Sequence, residues 1–327
     1  MHGLAMKITF LDSSTLDCGA IDFAPLAAQG ELQLFPTSTP DEALARAKET
    51  DILLTNKVIL DRALFEAAPN LKYVVLSATG TNNVDLEAAQ ESGVPVSNVS
   101  GYSTPGVAQH VFAMMLSLAT SLHRFSQPGE AERWAQSPIF TRLDYPVVEL
   151  AGKTLGIVGL GSIGTAVARI GASFGMKVVA LGRDGSGESE WPRLAKEEFF
   201  STADYLTLHC PLTPDTEHLV GSETLALMKP TAILINTGRG PLVDEAALLS
   251  ALEGNQLGGA GLDVLAVEPP AVGHALLAAV DRLPLRNLLI TPHTAWASLE
   301  SRRRLIDRMA SHLAQFKATG EAPERVA

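Results

Sequence analysis

The sequence predicts an α/β protein with two doubly wound parallel sheets, and three observations lead to this prediction. Short apolar runs alternate with Ala- and Leu-rich helical segments along most of the chain, which is typical of parallel sheets covered by helices. The 327 residues exceed what one hydrophobic core usually holds, which favours two domains. A glycine-rich turn near the middle of the chain, residues 159–164, stands between a predicted strand and a predicted helix.

The first hundred residues predict a complete small domain. Its expected strands are 6–11, 31–35, 51–54, 73–76 and 95–99, and helical segments, including 84–91, lie between them. A strand that returns parallel to its neighbour needs such a crossover helix. We therefore expect a flavodoxin-like sheet with helices on both faces.

The organisation changes at Ser103-Thr104-Pro105. Thr104 is a suitable N-cap and Pro105 suits the first helical turn, so a long helix is predicted from here to Leu122. Residues 123–146 carry Trp134, Phe140 and Tyr145 among prolines and glycines, and we expect them to wrap a neighbouring segment or a second subunit.

The last helix, 297–319, has no predicted place in the second domain and is expected to return to the first. Residues 1–102 and 297–327 would then form one domain, the substrate-binding one if the second binds a dinucleotide. Residues 103–296 would be inserted into it as a separate unit.

The glycine-rich turn predicts that the inserted unit is a Rossmann dinucleotide-binding domain. Strand 155–158 leads into Gly159, Gly161 and Gly164, and further strands are predicted at 177–181, 203–208, 232–235, 261–264 and 288–290. In such a turn the first glycine makes the bend, the second lets a pyrophosphate approach the backbone, and the third lets the helix pack on the strand. The free N–H groups at the helix start, beginning with Ser162 and Ile163, then face the anion. An ordinary strand-to-helix turn is the alternative.

Composition and charge limit the classes of partner. A formal net charge of −11 argues against general affinity for nucleic acid or an anionic membrane surface. Cys18 and Cys210 lie far apart and lack metal-ligand spacing, so neither a disulfide framework nor a metal site is expected. The most apolar stretch, 111–122, is too short to span a bilayer, and the N-terminus does not resemble a signal peptide. A cytoplasmic protein that binds small molecules is the prediction.

Three later stretches fall where predicted strands end, which is where an open α/β sheet builds its site. Residues 236–240 contain Arg239, residues 262–270 contain Glu268, and residues 291–296 contain His293. An Arg binds a carboxylate bidentately, a His transfers protons near neutral pH, and a Glu beside that His favours its protonated form. These groups together suit the reduction of a 2-oxo acid. Taken singly, each is also compatible with an ordinary structural role at a strand end or on the surface.

The combination of the glycine turn, Asn236-Thr237-Gly238-Arg239-Gly240, Glu268-Pro269 and Pro292-His293 resembles the D-isomer-specific 2-hydroxyacid dehydrogenase family. The resemblance covers nearly the whole chain. Within the family, residues 78–85, 107–110 and 293–296 look most like the glycerate dehydrogenase and hydroxypyruvate reductase branch.

The resemblance implies roles for individual residues. His293 would be the general acid that protonates the substrate carbonyl oxygen, Glu268 would pair with it, and Arg239 would bind the carboxylate and polarise the carbonyl. Thr79 and Gly80 would bind the same carboxylate through backbone N–H groups, and Lys57 is a further substrate candidate or a solvated loop lysine. Asp263 would bind the nicotinamide carboxamide. The implied cofactor contacts also include Gly159, Gly161, Ser162, Ile163, Gly164, Cys210, Pro211, Thr216, Thr237 and Gly238.

Two positions depart from the family pattern. Gly238 stands before the catalytic Arg where a residue such as Ala is usual, at some cost in backbone rigidity. At the end of the second strand, where an NAD-specific fold has an acid for the ribose 2′-hydroxyl, the chain has Gly182 and then Arg183, with Ser186 nearby. These residues favour the 2′-phosphate of NADP(H), although Asp184 could serve as a displaced acid for NAD(H). We expect NADP(H) to be preferred and NAD(H) to be the alternative.

The main expectation is an enzyme that reduces hydroxypyruvate or glyoxylate to the D-2-hydroxy acid. Phosphoglycerate or formate dehydrogenase activity is an alternative within the family. A dinucleotide-sensing scaffold resembling the C-terminal-binding corepressors, with little turnover, is an alternative from another class. The resemblance also implies a homodimer formed through the nucleotide-binding domain.

Overall fold

A computed structural model describes residues 5–17, 19–182, 189–282 and 287–327. The chain forms two compact units, one from the residues up to Ser103 together with Ala297–Ala327, and one from Thr104–Trp296. Among the described residues, no helix is both long enough and apolar enough to cross a membrane. The predictions made for Cys18, Arg183, Asp184 and Ser186 concern residues outside the described parts of the chain.

The first unit contains a five-stranded sheet in its described residues. Its strands are β1 Lys7–Phe10, β2 Glu31–Leu34, β3 Ile52–Thr55, β4 Tyr73–Leu76 and β5 Val96–Ser97. The spatial order is β2-β1-β3-β4-β5 and every pair is parallel. This is the flavodoxin-like order, so the predicted architecture of this unit is confirmed.

The helices of this unit start where the sequence supplies capping side chains. They are α1 Ala24–Ala27, α2 Pro40–Ala47, α3 Arg62–Ala67 and α4 Leu86–Glu91. Thr39 and Glu42 form a capping box at α2, and Asp61 and Asp85 accept backbone N–H groups at α3 and α4. These side chains satisfy N–H groups that have no partner within the helix.

The C-terminal helix belongs to the first unit. It is α13 Leu299–Thr319, which packs against α1. Arg302 donates to the carbonyl oxygen of Leu16 at 2.9 Å, and Arg304 donates to that of Tyr102 at 2.9 Å. Beyond the helix, Arg325 forms an antiparallel bridge to Ser97 beside β5. The end of the chain therefore completes the sheet formed by its beginning.

The second unit contains a seven-stranded parallel sheet in its described residues. Its strands are β6 Thr154–Val158, β7 Lys177–Leu181, β8 Arg193–Leu194, β9 Tyr205–Leu208, β10 Ile233–Asn236, β11 Gly259–Leu262 and β12 Leu288–Ile290. The order is β12-β11-β10-β9-β6-β7-β8. The chain thus runs outward from β6 in one direction and then in the other, which is the doubly wound Rossmann arrangement that the glycine turn predicts.

The helices of this unit, in its described residues, are α5 Thr104–Ala119, α6 Leu122–Phe125, α7 Glu130–Ala135, α8 Ser162–Ser173, α9 Lys196–Thr202, α10 Ser222–Leu227, α11 Glu245–Glu253 and α12 Ala275–Arg282. Of these, α5 and α8 cover one face of the sheet, and α9, α10, α11 and α12 cover the other. Strand residues alternate between two cores: Tyr205 and Ile233 pack with α5 and α8, whereas Leu206 and Leu234 pack with α9, α10 and α11. This alternation is the period-two pattern of strands buried on both sides.

Two predicted elements differ from the structure, and one strand of the structure was not predicted. The strand expected at 261–264 is observed two residues earlier, as β11 Gly259–Leu262. Its two glycines weaken the apolar strand pattern in the sequence. Gly261 has no room for a side chain, because an added Cβ would lie 2.9 Å from Ile235 and 3.1 Å from Met114. The two-residue strand β8 was not predicted, since it is too short to show a period. The helix expected to reach Leu122 ends at Ala119, where Ser121 adopts a left-handed conformation with φ of 52°.

The start of α5 also differs in detail. The helix includes Thr104 rather than starting after it, and the buried Thr104 hydroxyl has no hydrogen-bond partner among the described residues. Thr104 is therefore not the N-cap. The irregular segment expected at 123–146 contains the short helices α6 and α7.

Candidate active site

The glycine turn between β6 and α8 has a different steric reason for each glycine. Gly159 has φ of +94°, and an added Cβ would lie 2.7 Å from the backbone nitrogen of Cys210. At Gly164 an added Cβ would lie 2.0 Å from the carbonyl oxygen of Gly159. An added Cβ at Gly161 would meet nothing within 4 Å. The first and third glycines are thus needed for packing, and the second leaves open space at the start of α8.

The loop after β9 lies against this turn. The His209 N–H donates to the carbonyl oxygen of Val158 at 2.7 Å, and the His209 ring lies 2.9 Å from the Thr207 hydroxyl. Burial lowers the pKa of His209 to about 3, and burial raises the pKa of the Cys210 thiol. His209 is therefore neutral at physiological pH and Cys210 is a thiol. The Thr216 hydroxyl donates to the carbonyl oxygen of Pro211 at 2.8 Å, which fixes the remainder of this loop.

Arg239 follows β10 in a turn that Asn236 shapes. The buried Asn236 side chain accepts the Gly238 N–H at 3.0 Å and donates to the carbonyl oxygen of Arg239 at 2.8 Å. The Arg239 guanidinium donates to the carbonyl oxygen of Gly238 at 2.8 Å. No carboxylate in the described parts of the chain forms an ion pair with it. Its remaining N–H groups are therefore available to an anionic ligand.

Asp263 follows β11 and holds the turn that leads to His293. Its buried carboxylate accepts the Thr294 N–H at 2.9 Å, the Ala295 N–H at 2.8 Å and the Thr291 hydroxyl at 2.5 Å. His110 of α5 lies 3.0 Å from the Thr291 hydroxyl and 3.5 Å from the same carboxylate. These donors fix residues 291–295 to the end of β11.

His293 and Glu268 form a hydrogen-bonded pair. His293 Nδ1 lies 2.7 Å from Glu268 Oε2, and the side chains are 27% and 34% exposed. The Leu265 N–H donates to the other Glu268 oxygen at 3.1 Å. His293 adopts a left-handed conformation with φ of 52°, and its N–H donates to the carbonyl oxygen of Asp263 at 2.8 Å. Because Nδ1 is directed to Glu268, Nε2 is the ring nitrogen left for another partner.

The strand register explains why these residues share one edge of the second unit's sheet. Asn236 lies beside Leu262, and Leu262 lies beside Ile290, at the carboxyl ends of β10, β11 and β12. Arg239, Asp263 and His293 follow these ends within three residues. The structure thus brings together the residues predicted from three separate stretches. The carboxyl edge of an open parallel sheet is where such folds bind ligands.

The candidates in the first unit lie at the carboxyl edge of its own sheet. Lys57 follows β3, where the buried Asp12 carboxylate accepts the N–H groups of Asn56 at 2.9 Å and Lys57 at 2.6 Å. Thr79 and Gly80 follow β4, and the Thr79 hydroxyl donates to the carbonyl oxygen of Val99 at 3.1 Å. Since β3 and β4 are neighbours, these loops are adjacent.

The second unit fits a dinucleotide on two observations besides the glycine pattern. The start of α8 is exposed at Gly161 and Ser162, so backbone N–H groups there are accessible to a phosphate. The Thr237 hydroxyl is buried without a hydrogen-bond partner among the described residues.

At Gly238, an added Cβ would lie 3.2 Å from the carbonyl oxygen of Leu208, so the glycine relieves a close contact.

The fold and the site define a dinucleotide-binding oxidoreductase of the doubly wound α/β class. The sequence model of the "D-isomer specific 2-hydroxyacid dehydrogenase, NAD binding domain" matches residues 112–295, more than half of the chain. The chain belongs to the D-isomer specific 2-hydroxyacid dehydrogenase family. It binds a nicotinamide cofactor through this domain.

Individual relatives agree with this assignment over nearly their whole length. The hydroxypyruvate reductase of Blautia hydrogenotrophica is 39% identical, with 95% of this chain and 97% of the relative covered. The glycerate dehydrogenase of Methylorubrum extorquens is 38% identical, with 96% and 97% covered. The NADPH-dependent glyoxylate/hydroxypyruvate reductase of Sinorhizobium meliloti, solved with NADP and malonate, is 28% identical, with a TM-score of 0.81 and 99% and 97% covered. These relatives are enzymes, so a scaffold without turnover is not favoured.

Sequence reasoning missed three residues that shape the site. Asn236, Thr291 and His110 all lie within stretches singled out from the sequence, but the sequence patterns assign a role to none of them. His110 lies on α5, 181 positions from its partner Thr291. No local pattern signals a contact over that separation, and only an Asn or Thr at a strand end could have been suspected as a turn former.

Proposed function

We propose that this protein reduces a small 2-oxo acid, hydroxypyruvate or glyoxylate, to the corresponding D-2-hydroxy acid. The observation that carries the proposal is the His293–Glu268 pair, with Nδ1 and Oε2 2.7 Å apart, in the unit that also contains the glycine turn. The names of the relatives described above support the same reaction and substrate class.

In the proposed reaction, His293 supplies a proton from Nε2 to the substrate carbonyl oxygen. Glu268 accepts the Nδ1–H, which orients the ring and stabilises the protonated imidazole before transfer. The 34% exposure of the Glu268 side chain leaves this pair accessible to solvent for reprotonation. The proton that reaches the substrate therefore comes from His293, with Glu268 as its partner.

Arg239 is proposed to bind the substrate carboxylate and polarise the carbonyl. A guanidinium presents parallel N–H donors that match a carboxylate, and Asn236 fixes the turn that carries it. In the first unit we propose the backbone N–H groups of Thr79 and Gly80 as a second carboxylate site. Lys57 is proposed as an additional substrate contact.

The nicotinamide cofactor, when bound, supplies the hydride. We propose that Gly159, Gly161, Ser162, Ile163 and Gly164 hold its pyrophosphate. The other proposed contacts are Cys210, Pro211, Thr216, Thr237, Gly238 and Asp263. The buried Asp263 carboxylate already accepts three hydrogen bonds from residues 291–295, so its contact with the carboxamide would be added to that role.

We propose that the cofactor is NADP(H) in preference to NAD(H). Gly182 stands where an NAD-specific fold has an acid, and an added Cβ there would lie 2.9 Å from the carbonyl oxygen of Leu194. The following Arg183 and Ser186 would bind the 2′-phosphate. The solved relative from Sinorhizobium meliloti is named NADPH-dependent.

The reaction is tested by assaying a panel of 2-oxo acids with NADPH and with NADH. We expect turnover of hydroxypyruvate and glyoxylate, with kcat/KM at least about tenfold above that of branched or aromatic 2-oxo acids, the range in which methylene-scale pocket differences discriminate. A preparation that binds NADPH and yet reduces none of the acids would contradict the proposal.

Cofactor preference has its own test. We expect a higher kcat/KM for NADPH than for NADH, and Arg183→Ala should reduce the value for NADPH selectively because a phosphate contact is lost. Lys196→Ala, at the start of α9, serves as a control cation. A higher kcat/KM for NADH in the unmodified protein would refute the preference.

We further propose a cytoplasmic homodimer in which α5 and residues 123–146 form the interface. The support is the exposed apolar surface of that segment, with Phe140 90% and Leu143 82% exposed. Light scattering coupled to size exclusion should give twice the mass of the chain, and Leu143→Asp should shift it towards the monomer. A monomeric mass at micromolar concentration would contradict the assembly.

A further inference from the structure

We propose that Glu245 is a positioning residue for the Glu268–His293 pair. Glu245 is the first residue of α11, and its side chain is 20% exposed. Oε1 accepts the Ala266 N–H at 2.8 Å, and Oε2 lies 3.1 Å from His274 Nε2. One carboxylate therefore joins the start of α11, the loop that carries Glu268, and the residue just before α12.

The hydrogen bond from Ala266 to Glu245 lies next to the hydrogen bond that holds Glu268. Consecutive N–H groups of the loop are bound by two carboxylates: Leu265 donates to Glu268 itself at 3.1 Å, and Ala266 donates to Glu245. A shift of Ala266 must move the Leu265 N–H that binds Glu268 Oε1. It would thereby change the approach of Oε2 to His293.

Side-chain packing contributes little on this side of the loop among the residues that the structure describes. The side chains after Leu265 face solvent, with Val267 67% exposed, so they contribute little packing. The opposite side is backbone against backbone: an added Cβ at Gly240 would lie 2.0 Å from the Leu265 carbonyl carbon. The loop is thus confined between the segment that follows Arg239 and the Glu245 carboxylate.

His274 orients the Glu245 carboxylate. Its Nε2 faces Glu245, whereas its buried Nδ1 has no hydrogen-bond partner among the described residues. A buried N–H group without an acceptor loses more free energy than a buried nitrogen lone pair without a donor. The ring proton of His274 therefore belongs on Nε2, which donates it to Glu245, and Nδ1 carries the lone pair. Both Glu245 oxygens then have a donor.

The test compares three variants at Glu245 with a matched control. Glu245→Ala removes both contacts, and Glu245→Asp keeps the charge at the helix start but is one methylene too short to reach both donors. Glu245→Gln keeps an acceptor for the Ala266 N–H. Glu253→Ala, at the exposed last position of the same helix, is the control. Circular dichroism and thermal melting identify the variants that fold.

The first readout is the imidazole ¹⁵N NMR signal of His293, which reports the hydrogen bond between His293 and Glu268. The signal is assigned by its absence from the spectrum of His293→Asn. We expect Glu245→Ala and Glu245→Asp to move this signal in the direction seen for Glu268→Gln. Glu245→Gln should return it most of the way, and Glu253→Ala should leave it at the wild-type position. A signal unmoved in folded Glu245→Ala and Glu245→Asp would overturn the inference.

The second readout depends on the proposed function. For hydroxypyruvate reduction, Glu245→Ala should lower kcat about 10- to 100-fold, as expected for misplacement of a catalytic group, while the Kd for NADPH stays within about twofold. Equal losses in Glu245→Ala and Glu253→Ala, or a loss confined to cofactor binding, would refute positioning. If the unmodified protein reduced no 2-oxo acid and the ¹⁵N signal still moved, the proposed function would fail and the positioning role would stand.

Discussion

Two carboxylates five positions apart in the same strand-end loop have opposite surroundings. Asp263 is 1% exposed and accepts hydrogen bonds from Thr291, Thr294 and Ala295. Glu268 has a side chain that is 34% exposed and contacts the Leu265 N–H and the His293 ring. The buried carboxylate is occupied by the turn that it shapes, whereas the exposed one is paired with a group that can change protonation.

This difference separates two ways of supporting His293. Asp263 determines where the residue lies, because it fixes the turn on either side of it and accepts His293's own N–H through its carbonyl oxygen. Glu268 determines how the ring is oriented and charged. Variants at the first carboxylate should therefore change stability, and variants at the second should change turnover.

The largest expected effect comes from removing the ring on which both carboxylates act. In His293→Asn, kcat for 2-oxo acid reduction should fall by about 10²- to 10⁴-fold, the contribution typical of a general acid. Asn is chosen because it tolerates the left-handed conformation that position 293 adopts. Steady-state kinetics at saturating NADPH provide the measurement, and a kcat within threefold of wild type would show that the proton comes from elsewhere.

Asp263→Ala should give the largest change in stability. It leaves two backbone N–H groups and one hydroxyl without an acceptor, and each such buried group costs about 1–3 kcal/mol. The free energy of unfolding in urea should fall by about 3 kcal/mol or more. Asp263→Asn, which keeps one acceptor oxygen, should lose less. A loss below about 1 kcal/mol for the Ala variant would show that this turn is held by other contacts.

In contrast to Asp263→Ala, Glu268→Gln should change the free energy of unfolding little and kcat strongly. Because the pair is about one-third exposed, the free energy of unfolding should change by no more than about 1 kcal/mol. kcat should nevertheless fall by about 10- to 100-fold, since the imidazole loses the carboxylate that favours its protonated form. Denaturation and kinetics on the same preparation test both halves, and destabilisation matching that of Asp263→Ala would remove the distinction between the two carboxylates.

A smaller effect is expected at His209, a partly buried residue beside the glycine turn that has no part in the proposed proton transfer. Its pKa is lowered from 6.5 to about 3 by burial. Below pH 6.5 the unfolded chain takes up a proton that the folded protein does not, so stability should fall as the pH decreases from 6.5 towards 3.

His209→Asn should make that fall less steep, by at most about 1.4 kcal/mol per pH unit. The free energy of unfolding measured at pH 7, 6 and 5 for both proteins gives the comparison. Identical slopes would mean that the ring titrates alike in the folded and unfolded states.

Most of the fold follows from patterns that are local in sequence. The glycine turn and the apolar runs predict the two parallel sheets, and the Ala- and Leu-rich segments between the runs predict the crossover helices. The exceptions have physical reasons: β8 is only two residues long, and β11 carries Gly259 and Gly261 where Asn287 and the α5 residue Met114 approach closely. A propensity for strand formation cannot reveal a residue chosen for close packing.

In the site, too, local sequence patterns predict some residues, whereas contacts between distant positions cannot be predicted. Arg239, Glu268 and His293 could be predicted because each lies in a stretch framed by glycine or proline at a strand end. Their supports could not, because hydrogen bonds such as His110 to Thr291 and Ala266 to Glu245 join residues 181 and 21 positions apart. Arg183 and Ser186 remain predictions from the sequence.

A double-mutant cycle between Glu268 and His293 tests most directly whether Glu268 acts through the ring. Glu268→Gln should lower kcat about 10- to 100-fold in the wild-type background and less than about twofold in the His293→Asn background, because residues that act as a unit are not additive. An equal loss in both backgrounds would show that Glu268 serves turnover independently of His293, contrary to the paired arrangement in the structure.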